Sequence, residues 1–243
     1  MPLTRIERAI SGERGALGPL LVALATTAVA TALSYWLPEE HAATGVGACF
    51  LIAVYFTVLR SADTESIRAH GLSLGGLFDQ QPISPKRLVR SALGALAWAA
   101  GLALVCFPPF WVGYVLWYAP RSDFSAAPLP SIDTEVFGQL LGIAFPEEAF
   151  YRGYLQSALD RAWPQTRRIL GAELGAGVVV SSALFALGHY LTEPVPGRLA
   201  VFFPSLLFGW LRAKTGGVGA PIAFHALCNL FATYLGRSYR LLS

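Results

Sequence analysis

Six stretches of predominantly apolar residues, near 16–37, 42–60, 89–118, 135–159, 172–191 and 218–235, constrain this chain more than any other feature of it. Each is about 20 residues or longer, enough to cross a bilayer as an α-helix. In lipid every backbone N–H and C=O must find its partner inside the segment, so such runs read as membrane-crossing helices. A shorter run near 195–211 contains Pro204 and is either a seventh, tilted span or a re-entrant segment. The expected fold is all-α: a polytopic transmembrane helical bundle with about 6–8 membrane helices, given the length each crossing needs. Pro108 and Pro109 predict a kink or an end in the third run, leaving Phe110 to Tyr118 as an interfacial extension.

With 54% hydrophobic and only 14% charged residues, and a mean hydropathy of +0.51, the chain is too apolar for an ordinary soluble domain. At 243 residues it is too short for several domains, so residues 1–243 are expected to form one integral membrane domain. The net charge of +3 is spread between apolar runs and forms no basic face, which excludes a nucleic-acid partner. It reads instead as topology information, since cytoplasmic loops collect Lys and Arg. Arg5, Arg8 and Arg14 precede the first run, and Arg60, Arg68, Lys86, Arg87 and Arg90 follow the second. Glu39, Glu40 and His41 lie between those two runs, without Lys or Arg. Arg161, Arg167 and Arg168, then Arg212 and Lys214, continue the alternation, with Arg121 and Arg198 alone on the other side.

The N-terminus is therefore expected to be cytoplasmic and the first helix retained. The preference for arginine over lysine suggests a bacterial chain in the cytoplasmic (inner) membrane. Arg237 and Arg240 break the alternation if all seven runs cross. Leu72, Leu74 and Leu77 lie either along the membrane surface or in a solvated loop. Cys49, Cys106 and Cys228 have no CxxC spacing and read as packing residues, although Cys228 lies beside motif residues, where a nucleophile is conceivable.

Ionisable groups cost about 2.5–3.5 kcal/mol each to insert into a span, so where they concentrate they mark function. Phe145-Pro146-Glu147-Glu148-Ala149-Phe150-Tyr151-Arg152 places two carboxylates and a guanidinium inside an apolar run. Glu148 and Arg152 are four apart, on one helical face, and can pair. Glu147 sits roughly 100° away around the helix, without a local counter-charge, which makes it the freer base. A structural ion pair with a snorkelling acid is the plainer alternative. Two of the four histidines, His189 and His225, lie in apolar runs, whereas His41 and His70 fall in loops. His225 and Asn229, at i and i+4, point the same way, as two donors to one oxygen must.

Three motifs in order, Glu-Glu-x-x-x-Arg at Glu147, Glu148 and Arg152, Phe-x-x-x-His at Phe185 and His189, and His-x-x-x-Asn at His225 and Asn229, resemble those of the CPBP family. That family comprises intramembrane proteases, including type II CAAX prenyl endopeptidases and bacteriocin-processing relatives. The resemblance covers about residues 133–236. It implies that Glu147 activates a water, His189 helps position it, His225 and Asn229 form an oxyanion hole, and Glu148 with Arg152 orients the site. The string around Glu147 looks most like branches that process C-terminal sorting signals, such as the myxosortases.

The expected activity is hydrolysis of a peptide bond in a membrane-associated or lipid-modified protein. Metal-free glutamate catalysis is the favoured chemistry, because no HExxH signature is present. Zinc held by Glu147, His189 and His225 is the alternative. A proton-coupled transporter using the same residues as a relay, and a non-catalytic membrane immunity or partner protein, are the rival classes. No inverted repeat speaks for the transporter.

Overall fold

The computed structural model describes residues 15–242; Arg5, Arg8 and Arg14 lie outside them. The fold is an all-α bundle with one small hairpin. Helix α1 spans Leu17–Trp36, α2 Glu39–Leu59 with its last turn π-wound, α3 Thr64–Ala69, and α4 Pro85–Tyr118. A composite column, α5 (132–162), is followed by the antiparallel hairpin β1 (Thr166–Ile169) and β2 (Ala172–Gly175). Helices α6 (Ala176–Thr192), α7 (Phe202–Thr215) and α8 (Gly219–Ser238) complete the chain, and a 3-10 turn at Pro196–Val201 leads into α7.

Helix α1 faces small residues inward and large apolar ones outward. Ala23, Thr26, Thr27 and Ala30 are buried, whereas Leu17, Leu21, Leu24 and Val29 are exposed. Helix α4 repeats the pattern, burying only Ala99 and Ala103 and exposing Leu104 and Leu116. In water this arrangement would be unstable, but in lipid the outer face is solvated by acyl chains and small residues let helices approach closely. Among the described residues α1, α2 and α4 are long and apolar enough to cross a membrane. The other columns fall short of those measures because they are shorter or hold the polar groups.

Of the kink or end that the sequence predicts at Pro108 and Pro109, the end does not occur: α4 continues to Tyr118. Each proline removes one backbone donor, and the remaining bonds carry the helix through. At 1.5 Å per residue, α4 is about 50 Å long, well beyond the hydrocarbon core.

The 195–211 segment has contacts at both of its ends. Gly197 packs on the Trp117 ring near the end of α4, while Lys214 Nζ donates to the carbonyls of Leu170 and Gly171 at the hairpin turn. Helix α7 carries Ser205, which is buried against α5. Arg237, the exception in the charge alternation, is paired with Glu135 at 2.6 Å. The 60–84 segment is not a free solvated loop. Leu72 is buried in the core, and the Gly71 carbonyl accepts from Val218 N at 2.9 Å, so this segment is docked into the protein. The hairpin was not foreseen: residues 172–175, assigned to the fifth apolar run, form β2, and Leu170 and Gly171, both at positive φ, make its turn.

Column α5 carries the glutamates and is irregular. Ile132–Val136, Gly138–Ala144 and Ala149–Gln156 are π-wound, and only Phe145–Glu148 and Ser157–Ala162 are α-helical. Such winding is uncommon and frequently marks functional sites. Gly47 of α2 permits the close packing beside it: a Cβ there would lie 2.6 Å from the Gly142 carbonyl oxygen.

Candidate active site

Glu148 and Arg152 are completely buried, and Arg152 Nη1 donates to Glu148 Oε1 at 3.0 Å. A buried guanidinium needs partners for its other N–H groups. Arg152 Nη2 donates to both the carbonyl and the hydroxyl of Ser205 on α7. The guanidinium also lies over Phe185, 4.6 Å from the ring centroid, and over Phe208 at 5.1 Å. One turn further along α5, Gln156 Nε2 donates to the Gly209 carbonyl at 3.2 Å. Gly209 permits this, because a Cβ there would stand 2.9 Å from Val178 Cγ1.

Helix α8 brings His225 to this pair. Its Nδ1 donates to the same Glu148 Oε1 at 2.8 Å, since an ionised carboxylate only accepts. Its other nitrogen, Nε2, lies 3.8 Å from Glu147 Oε2. Glu147 is thus nearly buried, with 12% of its side chain exposed, and faces the bundle interior near an imidazole. Oxygen Oε2 of Glu147, Oε2 of Glu148 and Nε of Arg152 have no hydrogen-bond partner among the described residues.

His189 reaches the same neighbourhood through Phe185. The Phe185 carbonyl accepts from His189 Nδ1 at 3.0 Å, which leaves Nε2 for other partners. The Phe185 ring centroid lies 4.3 Å from that of His189 and 5.8 Å from that of His225. Residues on α5, α6 and α8 therefore meet around the Phe185 ring, although their positions within their apolar runs differ.

Asn229, one turn beyond His225 on α8, donates through Nδ2 to Gln139 Oε1 at 2.9 Å. One of its two N–H groups remains for another acceptor. Gln139, Ser205 and Phe208 were not foreseen. Gln139 is a polar residue inside an apolar run, but it carries no charge, so the rule that finds the glutamates does not reach it. Ser205 and Phe208 bear no such mark.

Among the described residues no three His, Cys, Asp or Glu side chains are grouped to hold a metal ion, and this includes Glu147, His189 and His225. Cys49, Cys106 and Cys228 are unpaired and pack against the two hydrophobic cores.

Residues 134–231 match the family model described as Type II CAAX prenyl endopeptidase Rce1-like. No curated protein and no solved structure matches the chain. The matched stretch contains all seven motif residues, from Glu147 to Asn229, and over it the chain is similar to the CPBP/CAAX family of membrane endopeptidases.

Proposed function

We propose that this chain is an intramembrane endopeptidase that hydrolyses a peptide bond beside a lipid-modified or membrane-embedded segment of another protein, with Glu147 as general base. The observation that carries the reading is the pairing of two glutamates with one imidazole. Glu148, held by Arg152, fixes Nδ1 of His225, while Nε2 faces Glu147 across 3.8 Å.

Glu147 takes a proton from a water whose oxygen attacks the scissile carbonyl, and the carbonyl π electrons move onto its oxygen. His225, as an imidazolium that keeps Nδ1–H on Glu148 and turns Nε2–H to the reacting centre, and the second N–H of Asn229 donate to that oxyanion; such donors are typically worth about 10²–10³ in rate. His189 Nε2 holds the water. As the C–N bond breaks, Glu147 returns the proton to the leaving nitrogen, which restores the carboxylate and completes a hydrolysis into acid and amine. No step requires a metal.

The test uses protein purified in detergent with two peptide substrates, one carrying a prenylated cysteine and one a C-terminal membrane segment with its sorting motif. Glu147→Gln is expected to remain folded and to lose cleavage by roughly 10³-fold or more, as for loss of an essential base. Full activity in that variant would refute the assignment, and the preferred peptide separates the prenyl substrate from the sorting signal.

A further inference from the structure

The hydrogen bond from Asn229 to Gln139 links two elements already joined by the bond from His225 to Glu148. Column α5 supplies both acceptors, Gln139 Oε1 and Glu148 Oε1, and α8 supplies both donors one turn apart. An Asn side chain is ambiguous: turned over, it offers an acceptor oxygen where it had offered an N–H. Towards a developing oxyanion, the first orientation repels and the second stabilises. The bond to Gln139 decides between them.

We infer that Gln139 is a positioning residue for the hydrolysis: by accepting one N–H of Asn229 it fixes which end of the amide faces the reacting centre. This rests on the oxyanion role proposed for Asn229. Gln139 is set on the π-wound stretch Gly138–Ala144, eight residues before Glu147. One irregular column therefore carries both the base and the residue that orients its opposing donor.

The experiment is a double-mutant cycle measured as kcat and KM on the cleaved peptide. Gln139→Leu removes the acceptor and is expected to lower kcat roughly tenfold, less than outright loss of an oxyanion donor, with KM changed by less than about twofold because the contact matters in the transition state. Gln139→Glu retains an acceptor oxygen and is expected to restore most of the activity. In an Asn229→Ala background, Gln139→Leu is expected to have no further effect, since it acts through Asn229. Full kcat in Gln139→Leu, or losses that multiply in the double variant, would overturn the inference while leaving the glutamate mechanism intact. A fully active Glu147→Gln would remove the mechanism itself, and an unimpaired Asn229→Ala would remove the role on which Gln139 depends.

Discussion

His225 and Arg152 donate to one and the same oxygen of Glu148, at 2.8 and 3.0 Å, inside a site from which Glu148 and Arg152 expose nothing. One carboxylate oxygen thus anchors a cation and an imidazole from two different helices. The neighbouring Glu147 is left without a direct hydrogen bond to either.

This arrangement separates the two glutamates experimentally. Glu148→Gln leaves Arg152 buried without its counter-ion, which costs about 3–5 kcal/mol when one partner of a buried pair is removed. Its thermal unfolding temperature in detergent is expected to fall markedly, and combining it with Arg152→Met to recover part of the loss. Glu147→Gln is expected to unfold close to wild type. Equal destabilisation by both substitutions would contradict the division of roles.

Packing beside the glutamates should be intolerant in a way the lipid-facing surface is not. Gly47→Ala sets a methyl against the Gly142 backbone oxygen, which cannot move aside, and overpacking of this kind costs about 1–3 kcal/mol. Because Pro146 is the next contact, 3.3 Å from the added carbon, cleavage should drop together with stability. Gly94→Ala in α4 meets nothing within 4 Å and is expected to be neutral or slightly stabilising. Thermal unfolding and specific activity of the two variants, measured side by side, check the contrast.

At the end of the bundle where α3 docks, and outside the spanning segments, two groups titrate in opposition. Burial, reinforced by Arg161 and Arg212, pushes His70 down to about 4. Its Nδ1 donates to the Ser66 carbonyl and its Nε2 accepts from Arg161, so the fold holds it neutral. The unfolded chain takes up a proton there first, so this group lowers stability as pH falls from about 6.5 to 4. Burial pushes Asp160 up to about 6, against the pull of Arg212. The fold then holds the proton longer, so its contribution is complete below about 3.8 and is lost as pH rises through 6. The two slopes nearly cancel in the wild type. Asp160→Asn is expected to lose stability on acidification from pH 6.5 to 4 relative to wild type, and His70→Gln to gain it. Parallel slopes in all three proteins would show that neither group titrates as described.

Cleavage is expected to persist in the presence of a strong chelator such as 1,10-phenanthroline, and the purified protein to hold well under one zinc per chain. Among the described residues the candidate ligands Glu147, His189 and His225 do not form a metal-binding group. Activity lost to the chelator and restored by zinc would require the reaction to be rewritten.

Much of this was legible in the residues alone. Periodic apolar runs report helices because lipid penalises any unpaired backbone, and charges inside such runs stand out because they are costly to bury. That is why Glu147, Glu148, Arg152, His189 and His225 could be named from the chain. The spacing of Glu148 and Arg152 even determines their pairing, since residues four apart meet on any helix. Gln139 carries no charge and was passed over. His70 was read as a loop residue, although the docking of its segment buries it to 5% exposure.

What the sequence by itself determined, then, were the local matters: helical segments, their apolar faces, and pairs within one turn. The tertiary structure alone decided which residue stands opposite which. It gave Asn229 to Gln139 and set Ser205 against Arg152. Those contacts depend on the rotation and depth of helices relative to one another, which glycines such as Gly47 and Gly209 and the π-wound turns of α5 set by close packing. A short-range pattern holds no record of such distances, because the groups that meet are separated by 53 to 90 residues of chain.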